Sequence, residues 1–258
     1  MDATEFDRLV TRARDPRLIP GIYSYCDSRC PRCPFTERCL TYLDNQDLST
    51  AGGGDQSLAD TVGDSLQRTL EKLAEVARRE GVDLDALVKE ARASPADEDL
   101  ERHRQDPIAV RAREYGHMAW RIGRAIAPIA AARDDEPLVD AVATIEWFSS
   151  MISAKLYRAI CGQAEGWEEP DEVQTDFNGS AKVAIVGIGE SRRAWAVLME
   201  AGRATANGVP AQAVRILDEL DAAVRDRFPR AMAFVRPGFD EPDVTTCPLS
   251  SAAPSLCT

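Results

Sequence analysis

Apolar residues recur at spacings of three and four along most of this chain, and this helical period limits its fold more than any other feature. Leu66, Leu70 and Leu73 belong to one such stripe, and no segment shows a convincing strand alternation. The sequence therefore predicts an all-α protein, a helical bundle of about five long helices. The predicted long helices cover residues 57–80, 108–129, 138–160, 180–201 and 210–228.

Breaks between these stripes predict the loops. Gly81 ends the first long helix, and Asp83 caps a shorter helix that follows it. Residues 94–107 are acidic and carry no apolar pattern, so we expect a solvated connection there. Pro210 is placed in the first turn of the last helix. These signals divide the chain into a cysteine-rich knuckle (1–45), a helical bundle (57–237) and a C-terminal tail (238–258).

A dense cluster of cysteines stands ahead of the helices. Cys26, Cys30, Cys33 and Cys39 fall within fourteen residues with the spacing C-x3-C-x2-C-x5-C. Neighbouring cysteines at this density cannot all face one apolar core, whereas thiolates are good ligands for zinc and for iron–sulfur clusters. The spacing thus predicts that these four residues bind a metal centre.

Two centres suit four thiolates. Zinc gathers its sulfurs about 2.3 Å from one ion, and structural zinc sites usually draw on two separated pairs of ligands. A [4Fe–4S] cluster is larger, so one contiguous segment can surround it. We therefore expect a [4Fe–4S] cluster, with structural zinc as the alternative. Arg29, Arg32 and Arg38 could offset the negative charge of either centre, or could be solvated loop residues.

Parts of the cluster resemble known iron–sulfur motifs. Its first three cysteines match the C-x3-C-x2-C of radical SAM enzymes, but Arg32 replaces the usual aromatic, Cys39 offers a fourth ligand, and no βα series follows. Cys30, Cys33 and Cys39 are similar to the opening of auxiliary cluster domains in some of those enzymes. The run GIYSYCDSRCPRCPFTERCL, with the later NGSAKVAIVGIG, resembles an uncharacterised bacterial family, which implies no particular activity.

The amino-acid composition indicates which partners and which cellular compartment to expect. The net charge is −12, whereas a nucleic-acid surface needs clustered Lys and Arg, so no nucleic-acid partner is expected. No apolar run is long enough to cross a membrane, and the charged N-terminus does not resemble a secretory signal. We therefore expect a cytoplasmic protein. A four-thiolate cluster would serve electron transfer, redox sensing or structural support, and the first of these roles implies a protein redox partner.

Two other functional classes are open. Glu114 and His117 form a Glu-x-x-His that could begin a di-iron site in the bundle, with acids such as Glu71, Glu146 and Glu190 on other helices. No second Glu-x-x-His completes that pattern. A pocket lined by Trp120, Trp147 and Trp195 would also make the bundle an enzyme. An acidic module that docks a basic partner is the non-catalytic alternative.

Some remaining features have plainer interpretations. The segment AKVAIVGIGESRRAWAVLMEAG imitates a dinucleotide-binding turn, but Arg192 occupies its third glycine position. A buried helix with Gly187 and Gly189 at a close helix crossing is the favoured interpretation. Cys161 is expected to be a small buried residue. Cys247 and Cys257 are expected to be exposed thiols, although they could also close over the knuckle or bind a second metal.

Overall fold

The computed structural model describes residues 3–51, 58–93, 96–132, 134–166, 171–201 and 208–241, and this part of the chain is helical. Its nine α-helices are α1 Ala3–Ala13, α2 Leu40–Ala51, α3 Leu58–Glu80, α4 Leu84–Ala93, α5 Ala96–Arg104, α6 Pro107–Ala131, α7 Glu136–Glu165, α8 Asp176–Glu200 and α9 Val209–Arg227. No strand occurs among the described residues. The prediction of an all-α chain is confirmed.

Side-chain caps set where three of the four core helices, α6, α7 and α8, begin. Asp106 accepts a hydrogen bond from the Ile108 N–H at the start of α6, and Asp135 accepts one from Leu138 at the start of α7. Thr175 caps α8 in the same way. These caps satisfy N–H groups that have no partner within the helix, which fixes each helix boundary.

Helix α7 lies at the centre of the core. It packs against α6 and α8, and α9 closes the bundle by packing against both of those helices. The apolar residues that recur at helical spacing along α7 are all buried: Leu138, Val142, Ile145, Ile152, Leu156 and Ile160. The apolar residues Leu217, Leu220 and Val224 of α9, with the adjoining Phe228, are buried as well. The helical period thus identifies this core correctly.

Small residues let the core helices approach one another closely. A Cβ atom built on Gly187 would lie 2.8 Å from Cδ1 of Phe148, and one built on Gly116 would lie 2.3 Å from the carbonyl oxygen of Ser149. Gly187 therefore lies at a close helix crossing, as the sequence predicts, within an unbroken helix that contains no dinucleotide turn. Gly189 has only the Arg193 side chain nearby and marks no such contact.

Two sequence predictions about the first half of the chain require correction or qualification. Residues 96–104 form α5, so the prediction of an unstructured connection over 94–107 is wrong there. Hydrogen bonds and ion pairs between side chains one turn apart, such as Arg102 with Asp99, support this polar helix. In α3 the apolar stripe is exposed: Leu66, Leu70, Leu73 and Val76 are 42–61% accessible. Among the described residues, α3 contacts α1 rather than the four-helix core.

Candidate metal centre

The four clustered cysteines line one pocket. Short 3-10 turns at Ile22–Ser24, Cys30–Arg32 and Thr36–Arg38 fold the segment back on itself and bring the four side chains together. Thr36, Tyr42 and Phe239 contribute to the same wall. The cavity between these residues has a volume of about 20 Å³. The structure therefore places the four clustered thiols in one pocket, and their binding of a metal stays a prediction.

A backbone N–H group points toward one of the sulfurs. The N–H of Ser28 donates to Cys26 Sγ at 3.4 Å. Ser28 adopts a positive φ of 56°, which is uncommon for a residue other than glycine. A strained backbone that directs a donor to a sulfur is a feature often found at functional sites, because such donors stabilise a thiolate.

The cysteines also influence one another electrostatically. Burial raises the pKa of Cys30, and the sulfurs of Cys26, Cys39 and Cys33 raise it further because a thiolate disfavours ionisation of its neighbours. Burial likewise raises the pKa of Cys33. Without a cation among them these two groups favour the protonated form, and a bound metal ion would take the place of their protons.

A metal ion needs several donor side chains within reach of one point. Among the residues that the structure describes, no group of three or more Cys, His, Asp or Glu side chains is arranged to hold a metal ion. The donor set around the pocket is nonetheless four thiols, all recorded as free. Its chemistry suits soft thiolate-bound centres, and the carboxylate of the lining, Asp27, accepts a hydrogen bond from the Arg29 N–H.

Three hydrogen bonds hold the cysteine-bearing segment on α7. Lys155 Nζ donates to the Ser24 carbonyl at 2.7 Å, and Trp147 Nε1 donates to the Asp27 carbonyl at 2.7 Å. The Arg29 guanidinium donates to Thr144 Oγ1 at 3.1 Å. Burial lowers the pKa of both Lys155 and Arg29, so two partly desolvated cations lie beside the cysteine segment.

The predicted arginine shell is only partly formed. Arg29 lines the pocket. Arg32 instead pairs with Asp140 of α7, and Arg38 Nε donates to the Arg17 carbonyl at 3.1 Å. Arg32 and Arg38 therefore serve to attach and shape the segment, and Arg29 is the one of these three that lines the cysteine pocket.

A buried lysine anchors the segment that follows α9, residues 231–241, here called the C-terminal strap. Lys182 of α8 is 8% exposed. Its Nζ donates to the carbonyls of Met232 (3.2 Å) and Phe234 (2.5 Å), and it forms an ion pair with Asp240 at 2.7 Å. Asp240 in turn accepts hydrogen bonds from the backbone and guanidinium of Arg236. The strap is thus fixed at both ends to one side chain of the core.

Aromatic contacts lay the strap against the cysteine segment. The Phe239 ring meets Phe35 edge to face at 5.2 Å, and the Phe234 ring lies 4.6 Å from Tyr25. Gly238, with φ 78°, allows the turn between these rings, where a Cβ atom would lie 2.9 Å from Ile19 Cδ1. Sequence reasoning missed this strap because its residues come from a region with no periodic pattern.

The residues of the alternative di-iron site do not converge. Glu114 and His117 lie on the exposed side of α6, and Glu114 pairs with Arg111. Glu190 pairs with Arg193 on its own helix, and Glu71 lies on α3 outside the four-helix core. Glu146 contacts the position of Gly123, where α6 and α7 cross.

The tryptophans and the remaining cysteines occupy unrelated places. Trp195 is fully buried and donates to the Tyr115 hydroxyl at 3.2 Å, whereas Trp120 is 55% exposed. Together with Trp147 beside the cysteine segment, they form no common pocket. Cys161 is a half-buried free thiol in α7. Cys247 and Cys257 lie outside the described residues.

Comparison with known proteins gives no family or function for this chain. No protein-family model matches the sequence, and neither curated proteins nor solved structures give a match. Within the described ranges, no helix combines the length and the apolar character that crossing a membrane requires.

Proposed function

We propose that Cys26, Cys30, Cys33 and Cys39 bind a thiolate-ligated metal centre, most favourably a [4Fe–4S] cluster, in a cytoplasmic protein. The observation that carries the proposal is the shared pocket of the four side chains. A reducing compartment suits a chain whose described cysteines are all free thiols. The resemblance of this segment to an uncharacterised bacterial family is compatible with the proposal and adds no activity to it.

The arrangement favours a cluster over a single ion. The four thiols come from one short segment and surround a space, and a cubane presents one iron to each of four separate sulfurs. Structural zinc is the alternative centre for the same ligands, and it would stabilise the fold of the segment. In either case four protein thiolates leave no coordination position for a substrate.

The surroundings suit a centre that exchanges electrons or stabilises structure. A bound [4Fe–4S] cluster supplies one-electron chemistry, and its potential depends on hydrogen bonds to sulfur, nearby charge and solvent exposure. The N–H of Ser28 bonds to the sulfur of Cys26 and supplies the first influence, and the Lys155 ammonium, which interacts with Cys26, supplies the second. The Phe239 side chain limits the third. We therefore propose electron transfer with a protein partner, redox sensing or structural support as the role.

Metal analysis of cysteine variants tests the proposal. After anaerobic purification, we expect four iron and four sulfide per chain with a broad visible absorption band. Cys30→Ser and Cys33→Ser should each abolish the bound iron and the absorption band, whereas the matched control Cys161→Ser should retain both. One zinc per chain, lost in the same two variants, would replace the cluster with the alternative centre. Iron retained in both variants, or no bound metal in the wild type, would overturn the assignment of these ligands.

A further inference from the structure

A second concave site, separate from the proposed metal centre, lies beside α7 at the same level of the helix as the residues that hold the cysteine segment. Helices α5, α6 and α7 form a groove of about 620 Å³. This size falls within the range of small-molecule sites, about 300–1,000 Å³. No residue that lines it also lines the cysteine pocket.

Short side chains create the floor of the groove. Gly116 brings α6 against the Ser149 carbonyl of α7, so no side chain can project at that point. Ser150, Ser153 and Ala154 continue the floor along α7. Helix α5 adds a third wall, and the groove stays open along one side. Its inner surface is mainly apolar.

The two ends of the groove differ in chemistry. Trp120 presents a half-exposed indole at one end. At the other end Tyr157 lies eight residues beyond Ser149 on α7, about 12 Å at the helical rise. Arg104 and Arg113 line this second end. An aromatic surface and a pair of guanidinium groups are therefore separated by the length of a small organic molecule.

The charges around this end leave it able to attract an anion. The Arg113 guanidinium bonds to the Arg104 backbone carbonyl, and it reaches the Glu101 carboxylate through its charge and not through a direct hydrogen bond. Glu101 is the acidic residue of the lining, and it approaches Arg104 at 3.6 Å while accepting a hydrogen bond from Gln105. A cationic lining is distinctive in a chain of net charge −12.

We propose that this groove binds an amphipathic organic anion, with a planar aromatic body against Trp120 and its acidic group between Arg104 and Arg113. Indole and phenol rings favour a flat apolar body, and guanidinium groups bind carboxylate, sulfonate or phosphate oxygens through paired N–H groups. The serine hydroxyls of the floor offer further donors along the body. The acidic group distinguishes this ligand from a neutral aromatic compound.

Two fluorescent probes test both parts of the proposal. 1-Anilinonaphthalene-8-sulfonate carries an aromatic body and an anion, and N-phenyl-1-naphthylamine carries nearly the same body without charge. We expect one saturable site for the sulfonate on the wild-type protein, with at least tenfold weaker binding of the neutral probe. Arg113→Gln should weaken sulfonate binding about tenfold and leave the neutral probe unchanged.

Matched substitutions locate the site. Ala154→Leu fills this groove, and Ala125→Leu places the same group in a neighbouring groove between α6 and α9. Both positions are exposed on helices, so both variants should fold, as circular dichroism would verify. Ala154→Leu should reduce sulfonate binding at least tenfold, with no effect of Ala125→Leu. No saturable binding, equal affinity for the two probes, or binding insensitive to Ala154→Leu would each overturn the proposal.

Discussion

Replacing the buried lysine of α8 with methionine should detach the C-terminal strap. Lys182→Met keeps the length of the side chain but removes one ion pair and two hydrogen bonds to carbonyls. Removing one partner of a buried pair costs about 3–5 kcal/mol. Asp240 retains its bonds to Arg236, so its charge is not left alone. We therefore expect a loss of about 3 kcal/mol, toward the lower end of that range.

Urea unfolding and thiol reactivity together measure this effect. The control is Lys89→Met on α4, where the lysine is exposed, and its free energy of unfolding should change by no more than about 0.5 kcal/mol. Because Phe239 lies in the wall of the cysteine pocket, strap release should also speed the reaction of metal-free protein with a thiol reagent. A Lys182→Met protein within about 1 kcal/mol of wild type, with unchanged thiol reactivity, would refute the strap's role.

Three further predictions concern acid sensitivity, helix packing and backbone strain. Burial acts to raise the pKa of Asp240, but hydrogen bonds from its two cationic neighbours hold that pKa well below its usual range. The stability it contributes is present above about pH 4 and is lost as pH falls through the folded-state pKa, so the cost of Asp240→Asn in urea unfolding should be smaller at pH 3 than at pH 7. Gly187→Ala should lower the free energy of unfolding by about 1–3 kcal/mol, because the added methyl group overlaps with Phe148. The control Gly63→Ala, with open space around it, should stabilise α3 by up to about 1 kcal/mol. A similar result for both variants would contradict the close crossing. Ser28→Val should destabilise the cysteine segment by about 1–2 kcal/mol and Ser28→Gly should not, as thermal unfolding would show, because a β-branched residue resists positive φ.

The helical period identifies the core because the apolar residues of α7 recur where neighbouring helices pack against it. Ile145, Ile152 and Leu156 repeat at helical spacing since α7 is covered on opposite sides by α6 and α8. The same kind of stripe on α3 has no such cover, and Leu66 and Leu70 are 61% exposed. Sequence periodicity therefore predicts that a helix forms and which face is apolar, but it does not determine what lies against that face.

Polar helices and irregular segments are the features that the period cannot detect. Helix α5 carries few apolar residues and is supported by charged side chains, so it gives no stripe to recognise. The strap depends on long-range bonds of Lys182, more than fifty residues away from Asp240. A lysine inside an apolar helix such as NGSAKVAIVGIG was the available signal, because a buried ammonium group requires partners.

The cysteine spacing indicates which residues line the pocket but not what surrounds them. Cys26, Cys30, Cys33 and Cys39 share a pocket, as their density in the sequence suggests. Their contact with α7 through Trp147 and Lys155 could not be predicted, since it depends on how two distant segments pack. The sequence likewise gives no sign that Arg32 pairs with Asp140 of the bundle.

X-ray absorption at the metal edge of anaerobically purified protein tests the central claim most directly. The account predicts an iron centre whose first shell is sulfur, with a further iron shell that only a cluster produces; four sulfurs around an isolated zinc would select the alternative centre. A first shell of nitrogen or oxygen ligands, or a protein without bound metal, would contradict a metal centre on the four cysteines.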